Sequence, residues 1–192
     1  LILAPRFLAS AFAAGPAILI LLAFFVRRVS TFDAGRQAID TLAKIVTYAM
    51  AINVFFVLME VFTALYSNIP EHVSHFQFLF MGLEGENTLA PWMWLSSILA
   101  IISLIVLVNP KTRNNHSWLL FGCVAVVFSL WIDKGLGMVI AGFVPNPLGQ
   151  VVHYAPSLPE LMISFAIYAI GLLVLTALYK IALEVRGQLK KA

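Results

Sequence analysis

Five apolar runs dominate this sequence, at about 5–26, 40–66, 91–108, 118–144 and 159–183. A helix crossing a bilayer needs roughly 20 apolar residues, and each run comes close to that length or exceeds it. Inside lipid a backbone must satisfy its own hydrogen bonds, which leaves few architectures open. The runs therefore predict an all-α fold, a polytopic transmembrane helix bundle of about five spanning helices. It forms a single transmembrane domain over residues 1–192. Charge supports this reading: 11% of the residues are charged and 61% hydrophobic, where a soluble domain carries about 25% charged residues.

The stretch 128–164, FSLWIDKGLGMVIAGFVPNPLGQVVHYAPSLPELMIS, breaks the apolar pattern. Asp133 and Lys134 close one run, and Glu160 opens the next. Charges at the edge of a bilayer core are costly unless paired, hydrated or used. Gly135, Gly137 and Gly142 allow close backbone approach, while Pro145, Pro147, Pro156 and Pro159 forbid one continuous helix. The expectation is a helix reaching the membrane surface, a shaped re-entrant or interfacial connection, and a last helix starting near Pro159. Irregular backbone at that depth survives only when buried in protein or facing water.

Within the spans, small residues at 10–15, SAFAAG, favour close helix packing, and Pro16 should kink the first helix. The second span holds a glutamate, Glu60. Asn53, Glu60 and Ser67 are spaced by seven, with Thr63 beside them, so they share one helical face. The functional reading of Glu60 is a proton relay or a ligand to a polar head group; the plainer one is a hydrogen-bonded carboxyl fixing helix packing. Intramembrane ionisable groups favour function. The loop 68–90 carries Glu71, Glu84 and Glu86, and HVSHFQFLF within it suits a short amphipathic interfacial helix. His72 and His75 could bind a metal as a pair, but two histidines alone are a weak signal, and interfacial polar residues are the better reading. Trp92 and Trp94 mark the entrance of the third span as belt residues.

Orientation follows from the basic loops. Arg27, Arg28, Arg36, Lys111, Arg113, Arg186, Lys190 and Lys191 fall on one side of a five-span chain. Short loops rich in Lys and Arg stay cytoplasmic, which places the C-terminus inside and loops 68–90 and 132–158 outside. The basic residues concentrate in short inter-helix loops, so the net charge of +3 is no nucleic-acid signature. The chain opens LILAPRF, without Met or a signal-peptide front, and reads as the C-terminal part of a longer membrane subunit. Cys123 is the sole cysteine, which excludes an internal disulfide and a cysteine-held cluster; it reads as a small packed side chain.

No Walker loop, GxGxxG, HExxH or nucleophile–base constellation occurs, so no catalytic centre is evident in this chain. The histidines lie in loops, which argues against a metal or haem site of its own. What remains is a set of carboxylates near one membrane face. Glu60, Asp133 and Glu160, with Asn53 on Glu60's helix face, are the candidates for a proton path. Lys134, directly after Asp133, is expected to point elsewhere, toward the outer surface or another carboxylate such as Glu160. Glu60 and Asp133 are expected to face the bundle interior.

The segments DKGLG at 133–137, FVPNPLG, YAPSLPEL and APRFLASAFAAGPA are similar to those of the NrfD/PsrC-like integral membrane subunits of respiratory complexes. Within that family the chain most resembles the longer type, the membrane subunit of hydrogenase-2 and the DsrP subunit of sulfur metabolism. The resemblance covers the family's C-terminal half. It implies a membrane anchor exchanging electrons between a ferredoxin-like iron–sulfur subunit and the quinone pool. Menaquinone or ubiquinone would be held by the front half of the family's architecture, and this half would carry a proton path. Other implied partners are a multihaem cytochrome c and further membrane subunits in the cell (inner) membrane. Candidate contacts for a quinone or a docked partner are His72, His75, Lys134 and His153. Two other classes remain open: half of a secondary transporter, which also uses broken helices and intramembrane charge, and a purely structural anchor.

Overall fold

The computed structural model describes residues 3–29, 33–67, 69–82, 87–139 and 156–189. These residues are helical wherever they form regular structure, and five helices are long and apolar enough to cross a membrane. The chain divides into two units, Leu1–Val152 and His153–Ala192.

The first unit contains α1 (Leu3–Val29), α2 (Arg36–Ser67), α3 (Pro70–Phe80), α4 (Ala90–Val108), the single turn α5 (Pro110–Arg113) and α6 (His116–Trp131). A π-helical segment, Ile132–Met138, continues α6 without a break. Four helices close a ring: α1 packs on α2, α2 on α4, α4 on α6 and α6 on α1. The helix starts follow local chemistry. Pro70 and Pro91 stand in the first turns of α3 and α4, where a missing N–H costs nothing. Asn109 and Asn115 cap α5 and α6 by accepting from the backbone N–H of Lys111 and Ser117, each at 3.1 Å. Before α2, Asp33 accepts from the N–H of Gly35 at 3.1 Å, and Gly35 takes the left-handed conformation, φ +83°, that a side chain would resist. α1 runs unbroken through Pro16.

The core sits toward the end of the ring formed by the α1–α2 and α4–α6 connections. Ala13, Ala17 and Ile20 of α1 meet Ala43, Val46 and Met50 of α2, Leu107 of α4, and Cys123 and Val126 of α6. All nine are fully buried. The small residues let backbones approach, which is how helices gain packing energy in lipid, where there is no hydrophobic drive between them. Gly122 shows how tight the α4–α6 seam is: a methyl there would meet the Val106 side chain at 3.2 Å. The same seam carries a reciprocal pair. Ser96 Oγ donates to the Ser129 carbonyl at 2.8 Å, and Ser129 Oγ donates to the Ser96 carbonyl at 2.9 Å.

The short helix expected within loop 68–90 is α3. Its Phe78 and Leu79 pack with Leu89 and Met93 at the start of α4, and with Leu136 of the π-helical segment. The Trp94 indole donates to the Phe80 carbonyl at 3.0 Å, which satisfies an open end of α3.

Among its described residues the second unit is one helix, α7 (Leu158–Leu189), apolar around its circumference as a membrane-embedded helix is. Glu160 in its first turn accepts from the Ser157 N–H at 2.7 Å, the reach-back half of a capping box. The shaped connection expected between the last two spans, including Gly142, Pro145, Pro147 and His153, lies outside the described residues, at 140–155.

Candidate functional site: a charged cavity at one end of the bundle

Beyond the packed core, at the end bearing the start of α1 and the end of α2, the ring opens into a cavity of about 660 Å³. Each helix of the ring supplies part of the wall, and α3 and the π-helical segment supply the rest. The wall is mostly apolar, with Leu79, Met93 and Trp94 among its residues. Its charged groups, Arg6, Glu60, Asp133 and Lys134, form one cluster.

Arg6 is the centre of that cluster. One guanidinium nitrogen pairs with Glu60, and the other donates to both carboxylate oxygens of Asp133, at 2.7 and 2.9 Å. Lys134 Nζ lies 3.3 Å from the second Asp133 oxygen and 5.3 Å above the ring of Phe7. Two cations thus meet two carboxylates, an arrangement that can sit in a low-dielectric region because it is neutral as a whole. The side chains of Arg6, Asp133 and Lys134 are 12%, 15% and 15% exposed, and that of Glu60 is 33%. An unpaired carboxylate at the centre of a bilayer would cost about 3 kcal/mol on insertion scales.

The local winding makes the cluster. The π-helical segment places Asp133 and Lys134 in its first turn. Its hydrogen bonds close five residues apart rather than four, so each turn holds more residues and sequence neighbours splay less. Gly137 allows the segment to lie against α4, since a methyl there would meet the Met93 sulfur at 2.8 Å.

Asn53 closes the inner end of the cavity. Its side chain is 3% exposed, and its Oδ1 accepts no hydrogen bond. Arg6 Nε is likewise buried without a partner. Buried polar atoms are normally bonded to protein or to water, and these two stand without a protein partner beside the cavity.

Several sequence expectations are settled here. Glu60 and Asp133 do face the bundle interior, and Asn53 joins them on the cavity wall. Lys134 does not point away from Asp133; it folds back to pair with it, because the π-helical winding and the long lysine stem allow both ends to meet. The polar stripe along α2 is interrupted. Thr63 and Ser67 are exposed and bond their own helix, to the carbonyls of Met59 at 2.7 Å and Ala64 at 3.4 Å. Short hydroxyl side chains satisfy themselves this way and need no polar neighbour. His75 lies on the cavity wall beside Phe76. The side chain of His72, and all of His153, fall outside the described residues. Glu160 caps α7 as described.

Arg6 is the residue that sequence reasoning missed. It stands one residue into the first apolar run, where it passes for a flanking charge. The signal was nonetheless present: with alternating spans, the start of α1 lies at the same end as Glu60 and Asp133. A cation there completes two otherwise unpaired carboxylates.

No curated protein and no solved structure matches the chain. A family model described as polysulphide reductase, NrfD, matches residues 1–145, which include all of the charge cluster and the helices that hold it. With most of its length matched and a helical, multi-span architecture to go with it, the chain belongs to the NrfD family of polysulphide-reductase membrane proteins.

Proposed function

We infer that this chain is a membrane subunit of a quinone-linked redox complex. In this reading it anchors an iron–sulfur partner, and its charged cavity takes up or releases protons for redox chemistry at the same membrane face. The observation that carries the reading is the sharing of Arg6 between Glu60 and Asp133 on the cavity wall, with the Glu60 side chain a third exposed. Quinone reduction consumes protons and quinol oxidation releases them, so a carboxylate with water access beside the membrane surface suits either direction.

Protonating Glu60 leaves one net positive charge, which Arg6 and Lys134 share around the Asp133 carboxylate rather than holding it on an isolated ion. Glu60 is the more exposed carboxylate and meets Arg6 through one oxygen; Asp133 holds it through two. When Glu60 is protonated, Arg6 stays neutralised by Asp133, and Lys134 remains within reach of the same carboxylate. When Glu60 loses its proton, the guanidinium is already in contact. Arginine cannot itself give up a proton under these conditions, so it acts as a fixed countercharge.

No step at a bound menaquinone or ubiquinone is assigned to these residues; the charge cluster is read here for proton exchange alone. In this reading the iron–sulfur partner docks on the cavity face, over α3. A transporter reading gains no support, because the charges gather at one end of the ring rather than at its middle.

The test uses Glu60→Gln and Asp133→Asn in the assembled complex. Each keeps the shape and most hydrogen bonding but cannot carry a proton. Quinone-linked turnover and the accompanying proton movement are expected to fall at least tenfold in one of them. If both variants assemble and retain full turnover and proton movement, the two acids are packing groups and the proton role is wrong.

A further inference from the structure

The opposite end of the bundle holds a second cavity, of about 260 Å³. It lies between the last turns of α1, the first turns of α2 and the connection from α4 to α6. Its floor is apolar, with Phe24, Ile39 and Leu119, of which Ile39 and Leu119 are buried. Its rim is ionic: Arg27, Arg36 and Arg113, with His116, face Asp33 and Asp40.

The rim charges do not cancel. Arg27 reaches Asp33 only at 4.0 Å, with both side chains about half exposed. Arg113 turns one N–H toward the Leu107 carbonyl at 3.4 Å. Arg36 makes no ion pair among the described residues. Three guanidiniums over two carboxylates leave an excess of positive charge, which suits a singly charged phosphodiester. The start of α2 at Arg36 adds to it, since the free N–H ends of helices favour anions, while at the start of α6 the Asn115 cap already takes one N–H. His116 is held in place edge-on against Phe24, with ring centres 5.3 Å apart.

A cluster of surface arginines is most often a solvated face. Two features separate this one from that case: the charges ring a formed cavity with an apolar floor, and the cavity lies where α1, α2 and α6 leave their apolar spans. Lipid phosphates occupy that level, and basic pockets between helix ends attract them. Arginine's planar fork also matches two phosphate oxygens at once.

We propose that this cavity is a binding site for a phosphate group, filled by the headgroup of an anionic phospholipid from the adjoining leaflet. The lipid contacts α1, α2 and α6 together and so fixes the end of the bundle remote from the charged cavity.

The test titrates the full chain, in phosphatidylcholine nanodiscs, with phosphatidylglycerol, and reads retained lipid by native mass spectrometry. Phosphatidylglycerol should be retained in preference to phosphatidylcholine. Arg36→Gln and Arg27→Gln should each weaken that preference about fivefold, the weight of one basic side chain near a lipid surface. Arg28→Gln removes the same charge from α1 outside the cavity and should weaken the preference clearly less than either of these. A parallel arm adds inorganic phosphate, which should displace the lipid poorly; displacement as effective as that by phosphatidylglycerol would overturn the lipid as the source. No preference for phosphatidylglycerol, or an equal loss in Arg28→Gln, would overturn the site.

Discussion

The two ends of the four-helix ring are built from the same helices and behave in opposite ways. At one end Ala13, Ala17, Ala43, Val46, Met50, Leu107, Cys123 and Val126 fill the interior, and none is exposed to solvent. At the other end Arg6, Asn53, Glu60, Ser96, Ser129 and Asp133 line an open cavity. The packed end gains dispersion energy from close backbones. The cavity end gives that up and leaves polar atoms open. The contrast teaches a division of labour: a bundle can keep costly polar groups at one end when the other end secures the fold. The reciprocal Ser96–Ser129 bonds stand between the two regimes, satisfying both hydroxyls within the α4–α6 seam.

The largest effect should come from removing the shared cation. Arg6→Ala leaves Glu60 and Asp133 facing one another with Lys134 as the remaining cation, and breaking a buried pair from one side costs about 3–5 kcal/mol. Denaturant unfolding in detergent should read this loss. Arg6→Lys should recover part of it, because a point charge serves one carboxylate well but not two. Combining Arg6→Ala with Asp133→Asn should also recover part of the loss. If Arg6→Ala unfolds like the wild type, the cluster contributes nothing to the fold and the contrast between the two ends loses its energetic basis.

A smaller loss is expected at the packed end. Gly122→Val adds atoms where a methyl already meets Val106 at 3.2 Å, and overpacking of this kind costs about 1–3 kcal/mol. Ser97→Ala, on the cavity wall, removes a hydroxyl that bonds its own helix at the Met93 carbonyl, and should change stability by less than about 0.5 kcal/mol. Thermal unfolding of the two variants side by side checks the comparison. An equal loss in both would mean that the ends are packed alike.

The smallest stability effect should accompany the clearest difference in accessibility. Cys123, the sole cysteine, is fully buried at the packed end and should stay unreactive toward a water-soluble thiol reagent. Val57→Cys should react, since position 57 lines the cavity and is partly exposed. The reagent should reach it from the side that labels Asn87→Cys and not from the side that labels Asn114→Cys. Labelling at position 57 from the Asn114 side would put the cavity at the other membrane face.

Much of the fold was legible in the sequence because membrane helices announce themselves by length. The five runs at 5–26, 40–66, 91–108, 118–144 and 159–183 correspond to helices Leu3–Val29, Arg36–Ser67, Ala90–Val108, the joined pair ending at Met138, and Leu158–Leu189. Half of the site was legible as well. A carboxylate in an apolar run costs too much to face lipid, so Glu60 and Asp133 had to point inward. The heptad-like spacing linked Asn53 to Glu60 correctly but extended too far, because Thr63 and Ser67 satisfy themselves on their own helix.

The sequence by itself determined that the chain is a set of apolar helices and that its intramembrane acids must be sheltered. Both follow from the cost of unsatisfied backbone and charge in lipid, which any single helix meets alone. Only the tertiary structure decided what shelters the acids. Arg6 lies 54 residues before Glu60 and 127 before Asp133, and no local period relates positions so far apart. The pairing of Lys134 with Asp133 depended on a π-helical turn whose formation is tied to packing against α4, with Gly137 set against Met93. Charge partners on separate helices become visible only when the ring closes, because it is the ring's geometry, not the order of residues, that brings three helix ends to one cavity.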